Sequence, residues 1–380
     1  VFGGSLVTWR RMGRFVVLKR RTRYFVVSGH VTDAHSGGRL AGATVLERRL
    51  GAGTAANAGG FYSLLLPEGE VCLDYSFVGR AGRRVRFRLT ADTTVSVALE
   101  GGAVIGEVTV RERMSREWAR NAGVGRVELP AETVEAIPRL LGEADVMRAV
   151  QALPGVVAGV EGAAGMYVRG GNRDENLLLL DDIPFYNAEH LLGLFSAFTP
   201  DAVRAVDFHK AGFPARYGGR LSSVTDVRLK DGDRQRWRGG ASVGLLAARV
   251  HAEGPVERGR SSFNAAARRS LLDAALFPIY NALSKSDEEE TRAGYHFTDA
   301  VAKFSRRMED ESTLSAVFFW GDDVLRFRKR EGEYDSGYGD VKREWLDGRW
   351  GNLAAALRWE KPLGMRWHGT FFAAYHRYRV

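Results

Sequence analysis

The sequence predicts a multidomain, mainly β protein: a β-sandwich, then an α/β unit, then the first strands of an antiparallel transmembrane β-barrel, left incomplete. Three observations predict this order. From Phe25 to about Leu99 short apolar runs recur between Gly, Asp, Asn and Pro punctuation, the pattern of an all-β sandwich. From 128 to 232 helical and strand periods alternate. After 235, segments of about ten residues alternate apolar and polar side chains, as strands do with one face to lipid and the other to a lumen.

Composition narrows the function classes. The chain has 380 residues, 45% apolar and 27% charged, which excludes wholesale disorder. Net charge is +9, with 47 Arg and 8 Lys, but the basic residues are scattered rather than gathered into a nucleic-acid stripe. Cys72 is the sole cysteine, so neither an intramolecular disulfide nor a thiolate metal site can form; its expected place is a buried strand. The longest apolar candidate, "LLGLFSAF" (191–198), falls short of the ~18 residues of a membrane helix. Any membrane crossing must therefore use strands. The start at Val1, without a signal-peptide pattern, reads as a mature or truncated end.

Residues 1–24, with the strand-like "GRFVVLKRRTR", read as the end of a preceding segment such as a signalling domain. In 25–100, "TAANAGGFYSLLLPEGEVCLDYSFVG" is a glycine turn, a strand, a tight Pro67-Glu68-Gly69 turn and a second strand. Thr32 and Asp33 suit a strand-end turn better than a catalytic pair. The stretches "SGHVTDAHSGGRLAGATV", "NAGGFYSLLLPEG" and "YSFVG" resemble the carboxypeptidase-regulatory-like (transthyretin-like) domain. That resemblance implies a sandwich and no peptidase activity, and the sequence carries no HEXXH motif.

Residues 101–127 form a Gly- and Arg-rich linker with one β-branched island, Glu107-Val108-Thr109-Val110. "EADVMRAV" then gives a helix with apolar residues at 146, 147, 150 and 153, which Pro154-Gly155 stops. "GMYVRGG" and "NLLLLDDIPF" read as strands, and "AEHLLGLFSAF" as helical. In "RYGGRLSSVTDVRLKDG" (216–232) a glycine pair permits positive φ, 224–229 alternates like a strand, and Lys230-Asp231-Gly232 closes it.

From 128 to 232, "ALPGV", "YVRGGNRDENLLLLDDIPFYNAEHLLGLFSAFTPDAVRAVDFHKAGFPARYGGRLSSV" and "TDVRLKDG" resemble the plug domain of TonB-dependent outer-membrane receptors, most like the Bacteroidota type with a regulatory-like domain ahead of the plug. The resemblance implies an α/β plug (128–232) inside a barrel that begins at 235, and an outer-membrane location. It implies uptake of a scarce nutrient such as a siderophore, oligosaccharide or peptide. The implied partners are a TonB-type energising protein of the inner membrane, outer-membrane lipid and a small-molecule or oligomeric substrate, with no nucleic acid and no cofactor. The rival reading is a non-transporting cell-surface binding or adhesion protein, which has no use for a plug.

In the barrel part Leu246, Ala248, Val250 and Ala252 share one face, opposite Arg249, His251 and Glu253. Leu314, Ala316, Phe318 and Trp320 repeat the pattern, as do Leu353, Ala355, Leu357 and Trp359, then Trp367, Phe371, Ala373 and Tyr375. The connections "ERGR", "EDES" and "LGM" are short and those near 280 and 340 are long, so the acidic 287–290 run should face outward as a solvated loop. About seven strands fit, against the ~22 of plugged transporters. The chain therefore reads as the N-terminal part of a longer receptor.

Three candidate site groups follow. Glu107, Val108, Thr109 and Val110 are the expected TonB-contacting box, suited to strand addition. Arg169 and Arg220 are expected to lock the plug to barrel carboxylates, Glu253 or Glu360. Glu175 with Asp181 and Asp182 reads as a strand-end carboxylate cluster rather than an acid/base pair. Neither a nucleophile elbow nor a P-loop is present, which argues against an enzyme.

Overall fold

The computed structural model describes residues 7–12, 15–20, 23–57, 59–101, 125–137, 143–159, 165–210, 212–284, 289–332 and 341–380. The chain divides into two compact units, 1–106 with 307–313 and 359–371, and 107–306 with 314–358 and 372–380. The first opens with an antiparallel pair, β1 (Val7–Met12) and β2 (Phe15–Arg20).

Eight strands follow in that unit: β3 (Tyr24–Asp33), β4 (Thr44–Glu47), β5 (Ala52–Ala55), β6 (Phe61–Pro67), β7 (Gly69–Ser76), β8 (Arg83–Leu89), β9 (Thr93–Thr94) and β10 (Val97–Leu99). One sheet has the order β10-β3-β6, with β9 also on β3; the other is β5-β4-β7-β8. Their inner faces bury Val27, Val31, Val45, Leu66, Leu73 and Leu99, so the expected sandwich has its own core. Tyr75 and Tyr62 meet hydroxyl to hydroxyl at 2.6 Å, and Tyr62 donates on to Val95 O at 2.8 Å, which satisfies both buried phenols. A Cβ on Gly29 would stand 2.0 Å from Val95 O, so β3 tolerates no side chain there. Cys72 departs from expectation. It lies half-exposed on β7, because the alternation turns it outward between buried Val71 and Leu73.

In the second unit the α/β domain comprises β11 (Arg126–Pro130), α1 (Ala131–Ala136), α2 (Val146–Gln151), β12 (Val156–Ala158), β13 (Met166–Val168), β14 (Asn176–Leu180), β15 (Ile183–Pro184), β16 (Glu189–His190), β17 (Phe195–Ser196), β18 (Val203–Lys210) and β19 (Ser223–Leu229). Its main sheet runs β11-β18-β19-β14-β15, antiparallel except for the parallel pair β14 and β19. Asp145 starts α2 by accepting Met147 N at 2.8 Å and Arg148 N at 3.0 Å. The expected helix over 188–198 is absent. Leu191 (φ 48°) and Gly193 (φ 98°) break the helical path, leaving β16, one 3₁₀ turn and β17. Phe195, Ala197 and Phe198 are all buried, so this apolar run fills space between elements instead of forming one face.

The remaining strands are β20 (Arg238–Val243), β21 (Ala247–Glu257), β22 (Ser261–Ser270), β23 (Glu289–Arg307), β24 (Thr313–Gly332), β25 (Val341–Leu363) and β26 (Trp367–Arg379), with short helices α3 (Leu272–Ala275) and α4 (Phe277–Leu283) before β23. They pair in sequence order as one seven-stranded sheet. β23, β24 and β25 have 19, 20 and 23 residues, about twice the expected length, so each has more residues than the ~10 that cross hydrocarbon. Phe318, Trp320, Leu357 and Trp359 are exposed on the outer face as predicted. The inner face is less polar than predicted: Ala266, Val301, Val317, Phe319, Ala354 and Ala356 share a core with the α/β domain. Leu246 is a second correction. The chain bends before β21, with Gly244 N donating to Ala247 O at 2.9 Å, and Leu246 packs inward with Phe195 and Leu272.

Candidate functional site

Two ionic seats join the α/β domain to the strand wall. The first grows from a tight turn. Leu180 pairs with Ile183, so Asp181 (φ 48°) and Asp182 (φ 68°) are the two turn residues of a hairpin, a conformation that Asp tolerates and β-branched residues do not. The turn holds both carboxylates at the end of the sheet. Asp182 accepts two parallel bonds from Arg228 of β19, at 3.0 and 3.1 Å, and pairs with Arg358 of β25. Arg358 also donates to Asp181 O at 2.9 Å. Lys303 of β23 spans Asp181 at 2.9 Å and Asp231 at 2.7 Å.

The charges in this seat are not equivalent. Burial opposes ionisation of Asp182, but Arg228 and then Arg358 outweigh it and hold the carboxyl well below its usual range. Asp226, wholly enclosed on β19, is pushed up to about 7 by burial, against Arg228 and reinforced by Asp182 and Asp181.

The second seat is built around His190 on β16. Its Nε2 lies 2.9 and 3.0 Å from the two carboxylate oxygens of Asp299 on β23, and its Nδ1 lies 2.9 Å from Asp323 on β24. Arg268 of β22 donates to Asp299 at 2.7 and 3.1 Å and to Ser196 O; Tyr295 donates to Asp323 and accepts Leu191 N at 2.8 Å. The imidazole stacks on Phe297 with centroids 4.2 Å apart and planes 5° off parallel, and the Arg268 guanidinium stands 5.0 Å from that ring's centroid. Burial alone would lower the His190 pKa, but Asp299 and then Asp323 outweigh it and push it up to about 9.

A smaller contact adds Arg249 of β21, 3.7 Å from Glu143 and 3.5 Å from Asp201. Within the α/β domain the 216–232 segment works as a lock between strands. Ser222 donates to Val168 O at 2.7 Å, Ser223 to Asn176 Oδ1 at 2.7 Å, and Gly219 turns at φ 80° with open space around it. The glycine therefore serves the turn, not a close approach.

The residues singled out in sequence stand apart from these seats, except the aspartate pair. Arg169 sits exposed at φ 49°, its backbone N bonded to Gly155 O at 3.0 Å. Arg220 donates to Gly219 O at 2.9 Å, and Glu253 lies on β21 opposite Arg238. No ion pair joins Arg169, Arg220 and Glu253 among the described residues. Glu360 is buried on β25. Glu175 closes a capping box, accepting Asn172 N at 2.9 Å. Glu107, Val108, Thr109 and Val110 lie outside the described residues. What sequence reasoning missed is the wall's half of each seat. The signal was there in "YHFTDAVAK": Tyr295, Phe297, Asp299, Val301 and Lys303 fall on one face of a strand by simple alternation.

Comparison with known proteins bears on both domains. Residues 27–110 match the family described as the CarboxypepD_reg-like domain, and residues 131–224 match the TonB-dependent Receptor Plug Domain. No curated protein sequence matches the chain. Among solved structures the chain is similar to the siderophore receptor PirA from Acinetobacter baumannii, at 13% identity and TM-score 0.40 over 71% of this chain and 49% of that one. It is similar to the ferric enterobactin receptor PfeA from Pseudomonas aeruginosa at 13% identity and TM-score 0.38, covering 72% and 50%. The outer membrane transporter YddB from Escherichia coli gives 10% identity and TM-score 0.39, covering 63% and 45%. The chain spans about half the length of these proteins.

Proposed function

We propose, for a chain that is a TonB-dependent receptor of the outer membrane carrying a CarboxypepD_reg-like domain ahead of its plug, that it takes up a scarce nutrient through a barrel closed by that plug. The nutrient class is a siderophore, oligosaccharide, peptide or similar molecule. One observation carries the reading: a folded domain is clamped to a strand wall by charge pairs at two places, the half-buried Asp182 with Arg358 and the buried His190 with Asp299. A gate needs that arrangement, because a closed plug must be held firmly and released without unfolding the wall. A non-transporting adhesion protein gains nothing from it.

A TonB-type protein of the inner membrane supplies the energy in this reading. Glu107, Val108, Thr109 and Val110 are its proposed docking segment, placed between the sandwich and the plug so that a pull reaches the plug first. β-Branched residues there suit strand addition to the partner's sheet edge. Arg169 and Arg220 are proposed as further lock residues toward Glu253. The test is uptake by cells expressing the intact receptor, over a panel of labelled siderophores, oligosaccharides and peptides. Val108→Pro removes a ladder donor and is expected to abolish uptake while leaving ligand binding intact. Equal uptake by wild type and variant would refute the docking assignment, and uptake of nothing in the panel would favour the adhesion reading.

A further inference from the structure

The geometry around His190 points to a proton-dependent latch: we propose that the imidazolium fastens the plug's 189–196 hairpin to the barrel wall, and that loss of its proton frees that hairpin while the rest of the plug stays seated. The proposal rests on reading 131–224 as a plug beside barrel strands. It goes beyond that reading in naming the group that sets when one part of the plug can move.

Three observations carry it. Both ring nitrogens of His190 lie within 3.0 Å of carboxylate oxygens, and those carboxylates sit on two different strands. A neutral imidazole has one N–H and one lone pair, so it can satisfy one carboxylate while its bare nitrogen faces the other; only the doubly protonated ring donates to both. Charge gives the same answer. The groups facing His190 are Asp299 and Arg268 from β23 and β22, Asp323 from β24, and the neutral Tyr295 phenol from β23. On the hairpin's own side Glu189 is paired with Arg173, and Asp145 is engaged by Ser196 N. Two carboxylates against one guanidinium leave one negative charge, which the imidazolium cancels. Neutral His190 leaves that charge buried and uncompensated.

The third observation is that the hairpin depends on the latch. Besides the His190 ring and the packing of Phe195 among Leu246, Leu272 and Phe297, the hairpin is hydrogen-bonded to the wall at Leu191 N, which donates to Tyr295, and at Ser196 O, which accepts from Arg268. Tyr295 and Arg268 are themselves oriented by Asp323 and Asp299, the two carboxylates His190 holds. Leu191 is kept at φ 48°, a strained position for a leucine that persists only while its surroundings enforce it. Deprotonation therefore loosens one connected set of bonds. The Asp182 seat is held to the wall by Arg358 and Lys303 and does not share these groups.

The sign is fixed by linkage. The latched state binds the proton more tightly than the open one, so the latch is complete below the free imidazole value of about 6.5 and is lost as pH rises through about 9. Opening of the hairpin should then become on the order of 10²-fold easier across that window.

The test is hydrogen exchange followed by mass spectrometry on the intact receptor in detergent, between pH 6 and 10, with rates corrected for intrinsic chemistry. The expected result is a fall in protection of 188–197 by about two orders of magnitude across the window, with 223–229 unchanged from pH 8 upward, where Asp226 is already ionised. His190→Gln, which donates without titrating, should flatten the profile. Constant protection of 188–197 in wild type overturns the latch, as does an unchanged profile in His190→Gln. If the variant fails to fold, the wild-type profile alone decides, because 188–197 and 223–229 must then part company within one molecule. Uptake plays no part in this readout, so failure of the transport reading and failure of the latch are told apart.

Discussion

The two ionic seats use the same wall strand for different ends. Asp299 and Lys303 lie four residues apart on β23, or about 13 Å along it. At Lys303 the plug presents carboxylates and the wall presents cations. At Asp299 the plug presents a histidine and the wall presents the carboxylates. Reversing the polarity changes what the contact can sense. Arginine and lysine make a permanent anchor, whereas a histidine between two aspartates makes one that a proton can release.

The sharpest way to break this contrast is to remove the shared acceptor of the anchor. Asp182→Ala leaves Arg228 and Arg358 without their common carboxylate and is expected to cost about 3–5 kcal/mol. Denaturant dependence of exchange in β14 and β19 measures it. The cost should be equal at pH 8 and pH 10, since Asp226, which titrates near 7, is already ionised at both.

Next in size is His190→Gln. A pKa raised from 6.5 to about 9 corresponds to about 3 kcal/mol of stabilisation below pH 6.5, lost as pH climbs through 9. Thermal denaturation of wild type and variant should therefore differ at pH 6 and converge by pH 10. A difference that persists at pH 10 would mean the ring acts by packing on Phe297 and not by charge.

Ser222→Ala should cost about 1 kcal/mol by depriving Val168 O of its donor. It touches neither seat, so exchange at 188–197 should not change. The smallest effect is expected of Asp226→Asn. Burial raises the Asp226 carboxyl and outweighs the opposing Arg228, so its ionisation is net unfavourable to the fold. Above pH 7 the amide should be neutral or stabilising by about 1 kcal/mol, the opposite of Asp182→Ala although both side chains meet Arg228. Equal losses in the two variants would show Arg228 to be a simple sum of pairs.

Much of the fold was legible because alternation is local. Val71, Leu73 and Tyr75 announce a strand and its buried face without reference to anything distant, and so do Phe318 and Trp320. The seats were less legible because they join positions far apart in the chain: His190 and Asp299 are 109 residues apart, and Asp182 and Arg358 are 176. The sequence suggests that plug cations meet wall carboxylates, and points to Arg169 and Arg220. At the described seats wall cations meet plug carboxylates, or wall carboxylates a plug histidine. The apolar spacing of 188–198 fits a helix, yet one leucine at positive φ is enough to forbid it.

The position of β11 has a mechanical consequence. It is the first strand of the plug and also the outermost of its sheet, bonded on one side to β18 through five residue pairs. A tension entering the plug at Gly125 would therefore be felt first at a margin, by Arg126 and its exposed bridge to Asp207. Such a pull strips the edge strand and then passes along the chain through α1, α2, β12 and β13 before it reaches β14 of the parallel pair with β19, where Asp182 and Arg228 sit. Work done along the chain is thus spent in small instalments, each the length of a few hydrogen bonds, and β18, though next to the edge in the sheet, feels it only after β14.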